Sequence, residues 1–83
     1  MNFADQVREY CKGLYIDQAR AKGENSVTIR SGDVHRALGY KNRYPLVCSA
    51  LGANAFEELA RVKRVSIDGP LNGANTVFTF SLL

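Results

Sequence analysis

The spacing of apolar residues changes along this 83-residue chain, and that change limits the folds that it can adopt. Up to Val62, most apolar residues recur every three or four positions, which is the repeat of a helix that buries one face. From Lys63 onward they alternate with polar residues, as in strands that cover a core with one face. The two patterns together predict an α+β fold, and the length predicts a single domain spanning residues 1–83.

The first helical pattern covers the amino-terminal quarter of the chain. Its apolar positions are Phe3, Val7, Tyr10, Cys11 and Leu14, with charged residues on the opposite side. The pattern predicts an amphipathic helix over residues 3–22 that stops at Gly23 in a left-handed conformation. Gly13 lies inside this helix, where it costs up to about 1 kcal/mol relative to alanine, and it predicts close packing against another element.

A short strand and a second helix follow. Alternating β-branched residues predict a strand at Ser26–Arg30 that presents Val27 and Ile29 to the core. Residues 31–39 then predict a helix of about two turns, capped by the Ser31 hydroxyl and closed by Gly39. In that helix Val34, Ala37 and Leu38 are predicted to face inward, whereas His35 and Arg36 are predicted to face outward.

The third helical region begins after a short connection, residues 40–44. Pro45 suits the first turn of a helix, because the amide hydrogen that proline lacks has no partner there. The apolar repeat continues to residue 61. Two alternatives fit the sequence: one long helix over residues 45–61, or a shorter helix followed, after an interruption at residues 52–54, by a helical turn over residues 55–60.

The carboxyl-terminal alternation predicts a hairpin. One strand carries Val65 and Ile67, and the other carries Phe78, Phe80 and Leu82. Residues 69–75 between them are rich in turn-forming residues and exceed a tight two-residue hairpin loop in length, so a flexible tip is predicted.

The predicted order is helix, strand, helix, helix, strand, strand, which is a three-helix core packed against a small antiparallel sheet. This order, together with residues 31–51, resembles the winged helix-turn-helix family and its short prokaryotic members. The resemblance implies that residues 32–39 are the first helix of a DNA-binding pair and residues 43–51 the recognition helix. It also implies that the hairpin is a wing, which approaches the adjacent backbone or minor groove.

The charge distribution agrees with a polyanionic partner. The net charge is only +3, but residues 30–64 hold seven basic residues against three acidic ones, whereas residues 1–29 are neutral overall. Basic residues next to a reading helix can contact phosphates, and Asn, Arg, Tyr and Ser side chains can reach base edges. The predicted contacts to double-stranded DNA are Arg36, Lys41, Asn42, Arg43, Tyr44, Ser49, Lys63 and Arg64. The wing, residues 68–76, has no Lys or Arg, so Lys63 and Arg64 at its base are expected to supply its phosphate contacts.

The sequence favours a binding protein over an enzyme. Cys11, His35 and Cys48 are far apart and lack a paired metal-ligand spacing, so neither a metal nor a cofactor is predicted, and both cysteines are expected to be reduced and buried. No apolar stretch is long enough to span a membrane, and a cytoplasmic location is expected. The function predicted first is DNA binding, as a transcriptional regulator or an accessory module. The alternative is a winged helix that docks on a protein partner or a second copy through its uncharged wing or through residues 76–83 as an edge strand.

Overall fold

The structure is a computed structural model that describes residues 2–70 and 72–83; Met1 and Leu71, the latter in the predicted turn, lie outside the described residues. The fold is α+β, as predicted, with a three-stranded antiparallel sheet. The helices are α1 (Phe3–Cys11), which continues through a π-helical segment (Lys12–Ile16) into α2 (Asp17–Ala21), then α3 (Ser31–Ala37), α4 (Tyr44–Gly52) and α5 (Asn54–Ala60). The strands are β1 (Ser26–Arg30), β2 (Val62–Asp68) and β3 (Val77–Leu82).

The π-helical segment changes which residues the first helix buries. A π turn bonds residue i to residue i+5 and so inserts one extra residue into the helical repeat. The buried positions accordingly run from Val7 and Cys11 to Ile16, and Leu14, predicted to be in the core, is 42% exposed. A Cβ atom built at Gly13 meets no atom within 4 Å, so the prediction of close packing there is also wrong.

The region after β1 forms three helices. Gly39, in a left-handed conformation (φ 71°), follows α3, as predicted. Ala53 is extended and separates α4 from α5, so the interrupted alternative is correct. Two positions of the predicted inner face of α3 are wrong: His35 is buried and Ala37 is exposed.

The sheet has the order β1-β3-β2, with both neighbouring pairs antiparallel. β3 is therefore the central strand, and the prediction that residues 76–83 form an exposed edge is wrong. Phe78 and Phe80 of β3 face the helices and are buried, as their alternation predicted.

β2 departs from its predicted alternation. Its register against β3 shifts between Arg64 and Ser66, which leaves Val65 as the extra residue of a β-bulge. Val65 is 62% exposed at the bulge. Ile67 pairs with the buried Phe78 and so lies on the helix side of the sheet, but it is 38% exposed near the end of this strand. β2 is an edge strand, and bulges of this kind are common at sheet edges.

The carboxyl-terminal part of the loop between β2 and β3, residues 73–76, packs against the start of α3. The backbone N–H groups of Ser31 and Gly32 donate to the carbonyl groups of Thr76 and Ala74, each at 2.9 Å. The Ser31 hydroxyl donates to the Gly73 carbonyl, so it does not cap α3; Arg30 occupies the cap position. The start of α3 therefore anchors the hairpin loop.

Thr76 forms hydrogen bonds with other residues of this loop. Its side chain is fully buried, and its hydroxyl donates to the Pro70 carbonyl and accepts a hydrogen bond from the Gly73 N–H at 3.3 Å. Buried polar groups paired in this way stabilise one loop conformation, because breaking either bond leaves an unpaired group away from water.

The core lies between the helices and one face of the sheet. Phe56 of α5 meets Phe80 edge-on, with ring centroids 5.1 Å apart, and α1 contributes Val7 and Cys11 to the same cluster. Both cysteines are free and buried, as predicted. In the part of the chain that the structure describes, no helix has the length and apolar character needed to cross a membrane.

Burial of Cys11 predicts a loss of stability at alkaline pH. Desolvation raises the pKa of its thiol from 9.0 to about 12. The thiol therefore ionises at a lower pH in the unfolded chain than in the folded protein. Well below pH 9 the thiol is protonated in both states, and the free energy of unfolding falls as the pH rises from there towards 12. We expect Cys11 to account for roughly 3 kcal/mol of lost unfolding free energy between about pH 8 and about pH 11.

Urea denaturation of the reduced protein across this pH range measures the loss. Tyr15 and Tyr40 also contribute, because burial raises the pKa of each phenol. The Cys11→Ala variant should lose the part of the pH dependence that Cys11 contributes and keep the part that the two tyrosines contribute. Equal slopes in Cys11→Ala and the parent protein would contradict the prediction.

Candidate nucleic-acid interface

A cleft of about 340 Å³ opens where α3, the connection after it and the start of α4 meet. Its lining includes three cationic side chains, Arg30, Arg36 and Lys41, and three rings, His35, Tyr40 and Tyr44. Ala74 of the hairpin loop closes one side. Residues from three separate stretches of chain thus meet at one basic depression.

His35 holds the connection between α3 and α4 in place. His35 is buried at the base of the cleft, with 5% of its surface exposed. Its Nε2 accepts a hydrogen bond from the Arg43 backbone N–H at 3.1 Å. An acceptor at Nε2 requires a neutral ring with its hydrogen on Nδ1. The ring also stacks on Tyr44, with centroids 4.0 Å apart. His35 therefore sets the position at which α4 begins.

Tyr40 attaches the connection to the first helix. Its hydroxyl donates to the Gln6 Oε1 at 2.8 Å, and its ring meets Phe3 edge-on at 5.5 Å. Desolvation raises the pKa of the phenol more than the nearby Arg43 lowers it, which keeps the donating hydrogen in place. Tyr40 has a structural role at the edge of the cleft.

The three cations of the cleft are not equivalent. Arg30 forms an ion pair with Asp33 at 3.0 Å and also donates to the Asn75 side chain. Arg36 and Lys41 are exposed, and no carboxylate of the described residues lies within ion-pair distance of either one. An exposed cation without an acidic partner loses little when it binds a phosphate. Arg36 and Lys41 are accordingly the strongest anion contacts of the cleft.

The remaining residues predicted near the reading helix lie in different settings. Asn42 is exposed in a left-handed conformation (φ 54°), and Ser49 is exposed on α4. Tyr44 lines the cleft but is stacked on His35. The Arg43 guanidinium lies 4.1 Å above the Phe3 ring, a cation–π contact that directs the side chain towards α1.

Lys63 and Arg64 do not join the cleft. Lys63 pairs with Ser81, four residues along β3 from Val77 at the loop end, a distance of about 14 Å. Arg64 lies on the helical side of the sheet, where its guanidinium donates to the Gly52 carbonyl at the end of α4 and its backbone N–H to Glu57 at 3.0 Å. Of the eight predicted contacts, Arg36, Lys41 and Tyr44 line the cleft. Asn42, Arg43 and Ser49 are not among its lining residues, and Lys63 and Arg64 lie on β2.

The sequence reasoning missed His35 as a part of this site, because His35 was expected to face solvent. Arg30 belongs to the basic residues that frame the two helices, where phosphate contacts were expected, but it was not among the eight predicted contacts. No local pattern reveals either role, because the partners Asn75 and Arg43 reach them through the folded loop and connection.

Two other observations bear on the site. A groove of about 640 Å³ lies at α5 and is lined by Glu57 and Glu58 with Arg61, a charge balance that does not favour a polyanion. Within residues 2–70 and 72–83, no three His, Cys, Asp or Glu side chains come together as a metal site requires.

We compared the chain with family models, with curated proteins and with solved structures, and none of the three comparisons gave a match.

Proposed function

We propose that the chain is a winged helix-turn-helix protein that binds double-stranded DNA, acting as a transcriptional regulator or an accessory DNA-binding module and not as an enzyme. The observation that carries the proposal is the pair of unpaired cations, Arg36 and Lys41, at the junction of α3 and α4. The order of elements and the antiparallel hairpin after α5 support the winged-helix assignment. α5 is an additional helix relative to the order that the resemblance implies.

The electrostatics of the cleft favour the backbone of nucleic acid. Each phosphate that a cation neutralises releases a condensed counterion, so affinity for DNA falls as salt is raised. Arg36 and Lys41 line the same cleft and retain their full charge for such contacts. Arg30 contributes less, since Asp33 already compensates part of its charge.

Binding of a labelled duplex of about 20 base pairs, followed by fluorescence anisotropy at several salt concentrations, tests the proposal. Arg36→Ala and Lys41→Ala should each weaken binding about 3- to 10-fold at low salt and reduce the salt slope by about 1. Lys22→Ala, which removes an exposed cation at the end of the first helix, is the matched control and should change neither quantity. Absence of binding at low salt, or equal effects of all three variants, would contradict the proposal.

A second candidate function is docking to a protein, and the exposed Val65 and Ile67 on the edge strand β2 favour it. Unpaired edge strands accept a strand from a partner, and apolar side chains beside them add to the affinity. Light scattering over a range of protein concentrations tests for self-association. The Val65→Lys variant should dissociate a dimer formed through β2, and a chain that remains monomeric at all concentrations argues against self-docking there.

A further inference from the structure

The outward face of α4 offers few groups that distinguish one base pair from another. Its exposed positions are Pro45 and Ser49, one helical turn apart, and half-exposed Gly52 continues the same side. Of these, only the Ser49 side chain forms hydrogen bonds, and a hydroxyl pairs with donors and acceptors of any base. A helix of this composition fits close to DNA without reading its sequence.

The start of α4 adds little discrimination. Arg43, the residue type best suited to guanine, has its guanidinium over the Phe3 ring. Tyr44 is stacked on His35 within the cleft, and its hydroxyl is again tolerant of any base. Among residues 42–44, Asn42 alone has a side-chain amide; it is exposed, and an amide of this kind can select adenine.

The hairpin loop does not compensate for this shortage. Residues 68–76 contain no Lys or Arg, and Asn75 is held by Arg30. The carbonyl groups of Ala74 and Thr76 accept hydrogen bonds from the Gly32 and Ser31 N–H groups, each at 2.9 Å, which holds this part of the loop against the start of α3. The cations at the cleft are therefore the principal attraction for DNA, and phosphate contacts carry no sequence information directly.

We infer that the partner of this site is duplex DNA of any sequence, held through its phosphates by Arg36 and Lys41, an inference that rests on the proposed function. One good bidentate contact from Asn42 discriminates by about 5- to 150-fold. Sequence-specific DNA-binding proteins usually prefer their sites by about 10³- to 10⁷-fold over other DNA. The side chains at this surface can provide the discrimination of a single base contact but not the preference that is usual for a sequence-specific protein.

Selection from a library of random duplexes, followed by measurement of Kd for the best sequence and for the unselected pool at one salt concentration, tests the inference. We expect a ratio below about 150. Asn42→Gly, which keeps the left-handed backbone and removes the amide, should bring the ratio close to 1, whereas Lys41→Ala should weaken binding to both duplexes equally. Circular dichroism verifies that both variants are folded.

The outcomes separate the inference from the proposed function. Binding of DNA with a ratio above about 150 overturns the inference and leaves DNA binding intact. Failure to bind any duplex at low salt overturns both. A ratio below that value that is unchanged in Asn42→Gly supports phosphate-based binding and removes Asn42 from the contacts.

Discussion

Phe80→Ala is expected to lower the free energy of unfolding by about 3–5 kcal/mol, a large part of the stability of a domain of this size. Phe80 is fully buried on the central strand, packed edge-on against Phe56 and stacked over Phe78 with centroids 6.3 Å apart. Removing the ring loses its burial and leaves a cavity that the surrounding strands and helices cannot fill without moving. Thermal and urea denaturation followed by circular dichroism measure the change.

The control for this prediction lies on the neighbouring strand. Val65 is also an apolar residue of the sheet, but it is 62% exposed at the bulge, so Val65→Ala should change stability by no more than about 0.5 kcal/mol. Phe80→Leu retains most of the apolar volume and should fall between the two. Equal stability of the Phe80→Ala and Val65→Ala variants would be inconsistent with the core described above.

Gly32→Ala is expected to destabilise the protein by about 2–4 kcal/mol, a large effect for the addition of one methyl group. A Cβ atom built at Gly32 lies 2.6 Å from the Ala74 carbonyl oxygen, which is a backbone atom and cannot rotate away. The hairpin loop must therefore separate from the start of α3, and the hydrogen bond from Gly32 to Ala74 is weakened or lost.

The effect should also reach the cleft, because Gly32 and Ala74 both line it. Gly13→Ala is the matched control: no atom lies within 4 Å of the added methyl group, and alanine favours a helical backbone by up to about 1 kcal/mol. Urea denaturation compares the two variants, and amide chemical shifts of Ala74 and Thr76 report the movement of the loop. A Gly32→Ala protein as stable as Gly13→Ala would mean that the loop does not pack on α3 as described.

The elements that sequence reasoning predicted well are those set by local chemistry. The left-handed glycines Gly23 and Gly39 end their helices because other residues rarely adopt that conformation. The strand Ser26–Arg30 was predicted with its observed bounds, and the alternation of β3 placed Phe78 and Phe80 in the core. In each case the signal lies within a few residues of the feature.

The errors share a different origin. Leu14 and Val65 belong to regular apolar repeats, but Leu14 lies in the π-helical segment and Val65 is the extra residue of the β-bulge, and both are exposed. His35 was placed outside because the repeat of α3 alone does not show that the Arg43 N–H needs an acceptor. Such insertions and pairings depend on what packs against the element.

By itself the sequence determined that this chain forms an α+β domain with basic residues concentrated around its second and third helical regions, because periodicity and charge are local properties. Only the tertiary structure decided which of those residues can act together. It brought Arg36 and Lys41 to one cleft, directed Arg43 to the Phe3 ring and committed Arg64 to the end of α4. Whether a charged side chain is free for a ligand depends on the partners that folding brings within hydrogen-bond distance, and those partners are distant in sequence.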